Sequence, residues 1–167
     1  EDNKLLDEVV GLVEWPVTLL GKIDISFLAL PPEVLQVSMR EHQKFFSLRH
    51  KDTQLIDSFI MISNIATDDN GKSVIRGNER VLKARLSDAK FFWENDLRRI
   101  ELDGYESFFE NLKKVTFHNK LGSEAERVDR ISDIAMKIAT ITGSDLSSTK
   151  IAASLCKLDL VSELVVE

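Results

Sequence analysis

The sequence has one cysteine, Cys156, among 167 residues. No internal disulfide can form, and a reducing, cytoplasmic setting is the expectation. Only three prolines interrupt the chain, and no apolar run approaches the roughly 18 residues that a membrane-crossing helix needs. The first ten residues, EDNKLLDEVV, are acidic and lack the basic lead and apolar centre of a secretory signal. A Gly-rich phosphate loop, a Cys-x-x-Cys pair and a Gly-x-Ser-x-Gly elbow are missing too, so nucleotide-cradling, zinc-ribbon and serine-hydrolase chemistry have no foothold in the motifs. The balance of 43% hydrophobic and 30% charged residues is that of ordinary globular material and argues against disorder.

The net charge of −6 argues against a chain-wide nucleic-acid surface, but the charge is uneven. From position 72 to 99 eight basic residues face four acidic ones, a positive island on an acidic protein. The island sits in the strongest helical pattern. After Gly77, Leu82, Leu86, Ala89 and Trp93 recur on one side, and Arg80, Lys83, Ser87, Lys90 and Glu94 gather roughly opposite. Asn78 is the predicted N-cap, with Glu79 against the positive end of the dipole. Arg85 falls on the apolar flank, where a guanidinium needs a partner such as Asp88.

Elsewhere the pattern predicts a short helix from Leu5 to the VEWP stop at Pro16. Loosely extended pieces follow at 17–25 and 27–30, then a helix over 33–46 opened by Pro32. QLIDSFIMISNI (54–65) is the clearest strand. DDNG (68–71) is a turn, and 73–76 is a candidate returning strand. His42 lacks ligands at metal spacing and reads as a helix-end residue or a contact to a nucleic-acid base or phosphate. The second half is expected to be helical throughout, over 105–115, 124–141 and 147–166. Val128, Ile131, Ala135 and Ile138 form its main stripe, Gly143 is a stop, and Asp145 is a cap. Cys156 reads as a buried structural thiol.

GNERVLKARLSDAKFFWENDL (77–97) resembles the central motif of the β subunit of bacterial tetrameric glycyl-tRNA synthetase. VEWP (13–16), LPPEVLQVSMREHQKFF (30–46), FIMISNI (59–65), VTFHNKLGS (115–123) and KLDLVSELVVE (157–167) occur in that family's order. The resemblance implies an internal fragment of a longer polypeptide with an α+β fold. It would have a mixed α/β module over 1–112, similar to the tRNA-synthetase B3/B4 type, and the start of an all-helical HD-like domain over 113–167. The HD-like likeness lacks the metal ligands. Glu124 stands where the first His would be, and Cys156-Lys157 replaces His-Asp.

By the same resemblance, the chain is a subunit of a ligase of protein biosynthesis that does not hold the catalytic centre and is inactive as a fragment. ATP and Mg²⁺ are used on the separate α subunit. The implied partners are that subunit in a heterotetramer, tRNA-Gly and the remaining β domains, with no membrane. No catalytic, cofactor or metal residue is expected here. Arg40, Lys44, Asn78, Arg80, Lys83 and Lys90 are the expected RNA contacts, to phosphate and ribose more than to bases. The alternative is a purely structural, subunit-docking module.

Overall fold

A computed structural model describes residues 2–166, which divide into two compact units, one up to Phe91 and one from Phe92. The architecture is mixed α+β. The boundary expected at 112 lies inside the second unit, because Phe108 and Leu112 pack with Val128 and Leu158.

In the first unit, α1 (Asn3–Leu12) is capped by the Asp2 carboxylate, which accepts from the Leu5 N–H at 3.0 Å. Strand β1 (Val17–Lys22) leads to a 3₁₀ turn over Ile25–Phe27, so residues 27–30 are a turn rather than extended as expected. The Asp24 carboxylate nucleates that turn by accepting from the Ser26 N–H and hydroxyl. α2 (Pro32–Val37) starts on Pro32 as anticipated, but its end widens into a π turn over Ser38–His42, and Phe46 already belongs to β2 (Phe46–Arg49). β3 (Ile56–Ser63) is the middle strand of an antiparallel sheet ordered β1-β3-β2.

Register explains one glycine. Gly21 lies opposite Phe59, and the phenyl ring occupies the space a side chain would need: a Cβ on Gly21 would stand 2.4 Å from the Phe59 Cζ. Phe59 is fully buried and stacks on Phe45 at 4.7 Å between centroids, with Met61, Leu19 and Ile56 also buried.

The turn after β3 forms where DDNG predicts it, but it opens a helix and not a returning strand. Asn70 and Gly71 both take positive φ (55° and 79°). The Asp69 carboxylate then accepts from the Gly71 N–H (3.1 Å) and the Ser73 N–H (2.7 Å), satisfying first-turn donors. α3 therefore begins at Lys72 and runs unbroken to Asp103. Asn78 is interior to this helix, donating to the Val74 carbonyl at 2.9 Å, and the expected cap there is replaced by Asp69, well before the predicted start. Leu82 and Leu86 are buried, as the stripe requires. Arg85 is exposed, because the buried side of the helix is narrower than the apolar flank of the wheel.

The Thr67 hydroxyl, together with Ser73 and the Gly71 N–H, holds the Asp69 carboxyl down at about 2. A depressed carboxylate stabilises the folded state fully above its ordinary value of 3.8 and loses that contribution as pH falls toward 2. Asp69→Asn should therefore be less stable than the parent at neutral pH, with the gap narrowing between about pH 4 and pH 2. Urea unfolding followed across that range checks the prediction.

The second unit begins with the last turns of α3. The buried Asp96 carboxylate accepts from the Glu163 and Leu164 N–H groups at 3.0 and 3.1 Å, capping α7 (Glu163–Val166). Arg99 donates to the Ser107 hydroxyl and carbonyl, both at 2.9 Å, and lies over the Phe108 ring. Its charge is committed to fixing α4 (Glu106–Leu112). The segment beyond 112 is not helical throughout. β4 (Thr116–His118) and β5 (Gly122–Ser123) form a small hairpin in which Arg127 covers Phe117.

α5 (Glu124–Thr142) opens on a capping box between Ser123 and Glu126 and ends on Gly143 at φ 71°. Val128 and Ala139 are its buried apolar positions. Ile138, assigned to the stripe by periodicity, is 55% exposed. Asp145 caps α6 (Leu146–Leu155) as predicted, accepting from the Ser148 N–H at 2.7 Å. The single helix expected over 147–166 breaks at Cys156-Lys157 into a 3₁₀ turn (Leu158–Val161) and then α7. Cys156 is exposed, not buried.

Candidate nucleic-acid interface

At about 100° per residue and about 1.5 Å of rise, the α3 residues Lys72, Arg76, Arg80, Lys83 and Lys90 fall within about 40° of one line roughly 27 Å long. Lys72, Arg76 and Arg80 are exposed along it. Like charges three and four apart on a helix disfavour it mildly, so this face is retained at a small cost in stability.

Two members of the line are engaged with the first unit's own backbone and side chains. Lys83 Nζ meets Asp24 Oδ2 at 2.8 Å, and Lys90 Nζ donates to the Ser26 carbonyl at 3.1 Å. Both therefore fasten the 24–26 turn to α3. The Lys83 ammonium is the chief reason the Asp24 carboxyl lies well below the usual carboxylate range, the Ser26 donors adding to it. The exposed pair adds little to stability. Its consequence is positional, because it shapes a groove of about 490 Å³ between β1 and α3. Ile23, Phe27, Leu82 and Leu86 supply apolar walls there, with Lys22 and Arg80 at the rim. Glu79, expected at the helix N-terminus, instead accepts from the Lys22 N–H at 2.9 Å and ties off the end of β1.

The other expected contacts line different space. The Arg40 guanidinium donates to Glu41 from Nε (2.8 Å) and lies 2.7 Å from it at Nη2, with Asp2 at 3.9 Å. Lys44, at φ 55°, pairs with Glu8 at 2.8 Å and closes the π turn onto α1. Asn78 spends its amide on its own helix. Of the six expected residues, Arg80 alone belongs to none of the described hydrogen bonds and ion pairs; Arg40 keeps half of its side chain exposed. The expectation omitted Lys72 and Arg76, which share the same line on α3, because the helix was taken to begin after them. It also omitted Arg49 and Phe46, whose signal was an aromatic pair followed within four residues by an arginine.

Among the described residues no group of three or more His, Cys, Asp or Glu side chains is placed to hold a metal ion. No described helix is long and apolar enough to cross a membrane.

Comparison with known proteins gives the class first, the aminoacyl-tRNA synthetases. The chain belongs to the glycyl-tRNA synthetase beta subunit family, which it matches over residues 1–167. The glycine–tRNA ligase beta subunit of Ruegeria sp. (strain TM1040) is 55% identical over 168 residues, covering 100% of this chain and 24% of the relative. That of Paracoccus denitrificans (strain Pd 1222) is 54% identical over 99% of this chain and 24% of its own length. That of Neisseria meningitidis serogroup C is 46% identical over 99% of this chain and 23% of its own length. The chain thus spans about a quarter of the length of these relatives.

Proposed function

We propose that this part of the beta subunit holds tRNA-Gly electrostatically and helps assemble a cytoplasmic glycine–tRNA ligase. In this reading ATP and Mg²⁺ act on the separate α subunit, and the present residues make and break no covalent bond. The observation that carries the reading is the line of exposed cations on α3, Lys72, Arg76 and Arg80, on a protein of net charge −6. A rigid helix presenting charges at successive turns suits a phosphate backbone, and its surroundings keep RNA from binding indiscriminately. Lys83 and Lys90 serve chiefly by fixing the neighbouring turn.

The test uses the complete two-subunit enzyme with Arg76→Glu plus Arg80→Glu. Filter binding of tRNA-Gly should weaken at least about 10-fold. The slope of log affinity against log salt should fall by roughly 1.4–1.8, the share of two phosphate contacts at about 0.7–0.9 each. Unchanged affinity and slope would overturn the reading.

A specific observation favours the docking alternative. Ile134, Ile138 and Ile141 recur at helical spacing on α5 and are 58%, 55% and 85% exposed. If Ile134→Ser plus Ile138→Ser released the subunits in sedimentation while Arg76→Glu plus Arg80→Glu left RNA affinity intact, docking would be the better account.

A further inference from the structure

A second cleft, of about 480 Å³, opens where α1, α2 with its π turn, and the edge strand β2 meet. It has no lining residue in common with the groove beside α3. Its chemistry is specific. Phe46 is partly buried and lines the wall. Phe45, buried and stacked on Phe59, lines the same cleft beside it. Gln36 and Ser47, both partly buried, offer neutral donors and acceptors. Arg49 stands exposed at the mouth, with one long hydrogen bond from Nη1 to Gln54 at 3.4 Å. A guanidinium carries five N–H donors, so most of its fork stays available. Arg40 lines the same cleft with its charge already answered by Glu41 and Asp2. β2 has a strand neighbour on one side only, leaving an outward backbone edge toward this space.

An aromatic wall, neutral hydrogen-bonding groups beside it and a planar cation at the entrance match the three parts of one nucleotide. The base lies on a π-face, its edge meets amide and hydroxyl, and its phosphate takes the bidentate fork. The volume falls in the range of small-ligand sites, large enough for one such unit and too small for a duplex. An acidic peptide would use Arg49, and its backbone matches the Gln36 amide, but Asp and Glu side chains leave the flat ring without a stacking partner.

We propose that this cleft captures a single unstacked nucleotide of the bound RNA, with Phe46 as the stacking surface and Arg49 as the phosphate clamp. The inference rests on the reading that this protein holds tRNA. It adds a second, non-duplex contact at a separate site.

The test again uses the complete enzyme and tRNA-Gly, with Phe46→Leu and Arg49→Gln measured apart. Arg49→Gln, at an exposed position, should weaken binding about 10-fold and lower the salt slope by about 0.7, as loss of one single-strand phosphate contact requires. Phe46→Leu should weaken binding by a similar factor and leave the slope unchanged, because stacking releases no counterions. Thermal melting of each variant accompanies the measurement. If Phe46→Leu lowers the melting temperature, Arg49→Gln alone decides. Affinity and slope unchanged in Arg49→Gln would overturn the cleft. If Arg76→Glu plus Arg80→Glu weakened binding in parallel, the α3 reading would survive that result. If all the variants bound tRNA normally, both readings would fall. Loss of α-subunit association with unchanged tRNA affinity would assign the cleft to a protein partner and overturn the proposal.

Discussion

Replacing Phe59 by alanine is expected to destabilise the first unit by about 3–5 kcal/mol, the upper end of what truncating one core side chain costs. The ring is fully buried at the centre of the three-stranded sheet and makes two separate contacts. It stacks on Phe45 and lies over the backbone of Gly21. Truncation leaves a cavity and also removes the ring that lies against a glycine in mid-strand. Phe59→Leu should lose less, because part of the volume over Gly21 is refilled. Urea unfolding of the two variants and the parent gives the comparison. A loss under about 1 kcal/mol for the alanine variant would mean the sheet is not the centre of this unit's stability.

The second large effect is at Gly71. Alanine there should cost roughly 1–3 kcal/mol for two reasons that act together. The backbone sits at φ +79°, which disfavours any L side chain. An added Cβ would also stand 2.4 Å from Leu19 Cδ2, and Leu19 is itself buried. Gly77 provides the internal control. It lies in the body of α3 with nothing within 4 Å of a built Cβ, so Gly77→Ala should raise stability by about 0.5–1 kcal/mol. Opposite signs for the same substitution at these two glycines would locate the start of α3 at the turn and not at Gly77-Asn78. Equal signs would contradict the described backbone.

These glycines also show how far the sequence was legible. β3 could be read from its apolar run, and α5 with its Gly143 stop and the Asp145 cap of α6 could be read from local residue chemistry, because each signal and its effect lie within a few residues. The start of α3 could not. Gly77 and Asn78 are strong local breakers, but one exposed glycine costs a long helix only about 1 kcal/mol, and Asp69 supplies the first-turn acceptor earlier. The same misplacement hid Lys72 and Arg76. Lys83 and Lys90 were placed on the right face, yet their contacts with Asp24 and Ser26 join positions far apart in sequence, a separation no periodicity encodes. The cleft around Phe46 and Arg49 was unreadable for that reason too: it exists only where α1, the π turn and β2 meet.

α3 crosses the division between the two units without a loop, its residues up to Phe91 belonging to one and those from Phe92 to the other. The division therefore falls within a secondary-structure element and not within a loop. A protease would find no exposed irregular linker there, and a cut at that point would sever a helix that supplies Leu82 and Leu86 to one interior and Asp96 and Arg99 to the other. Dissecting this polypeptide into smaller working parts means choosing which of them inherits the whole of that helix.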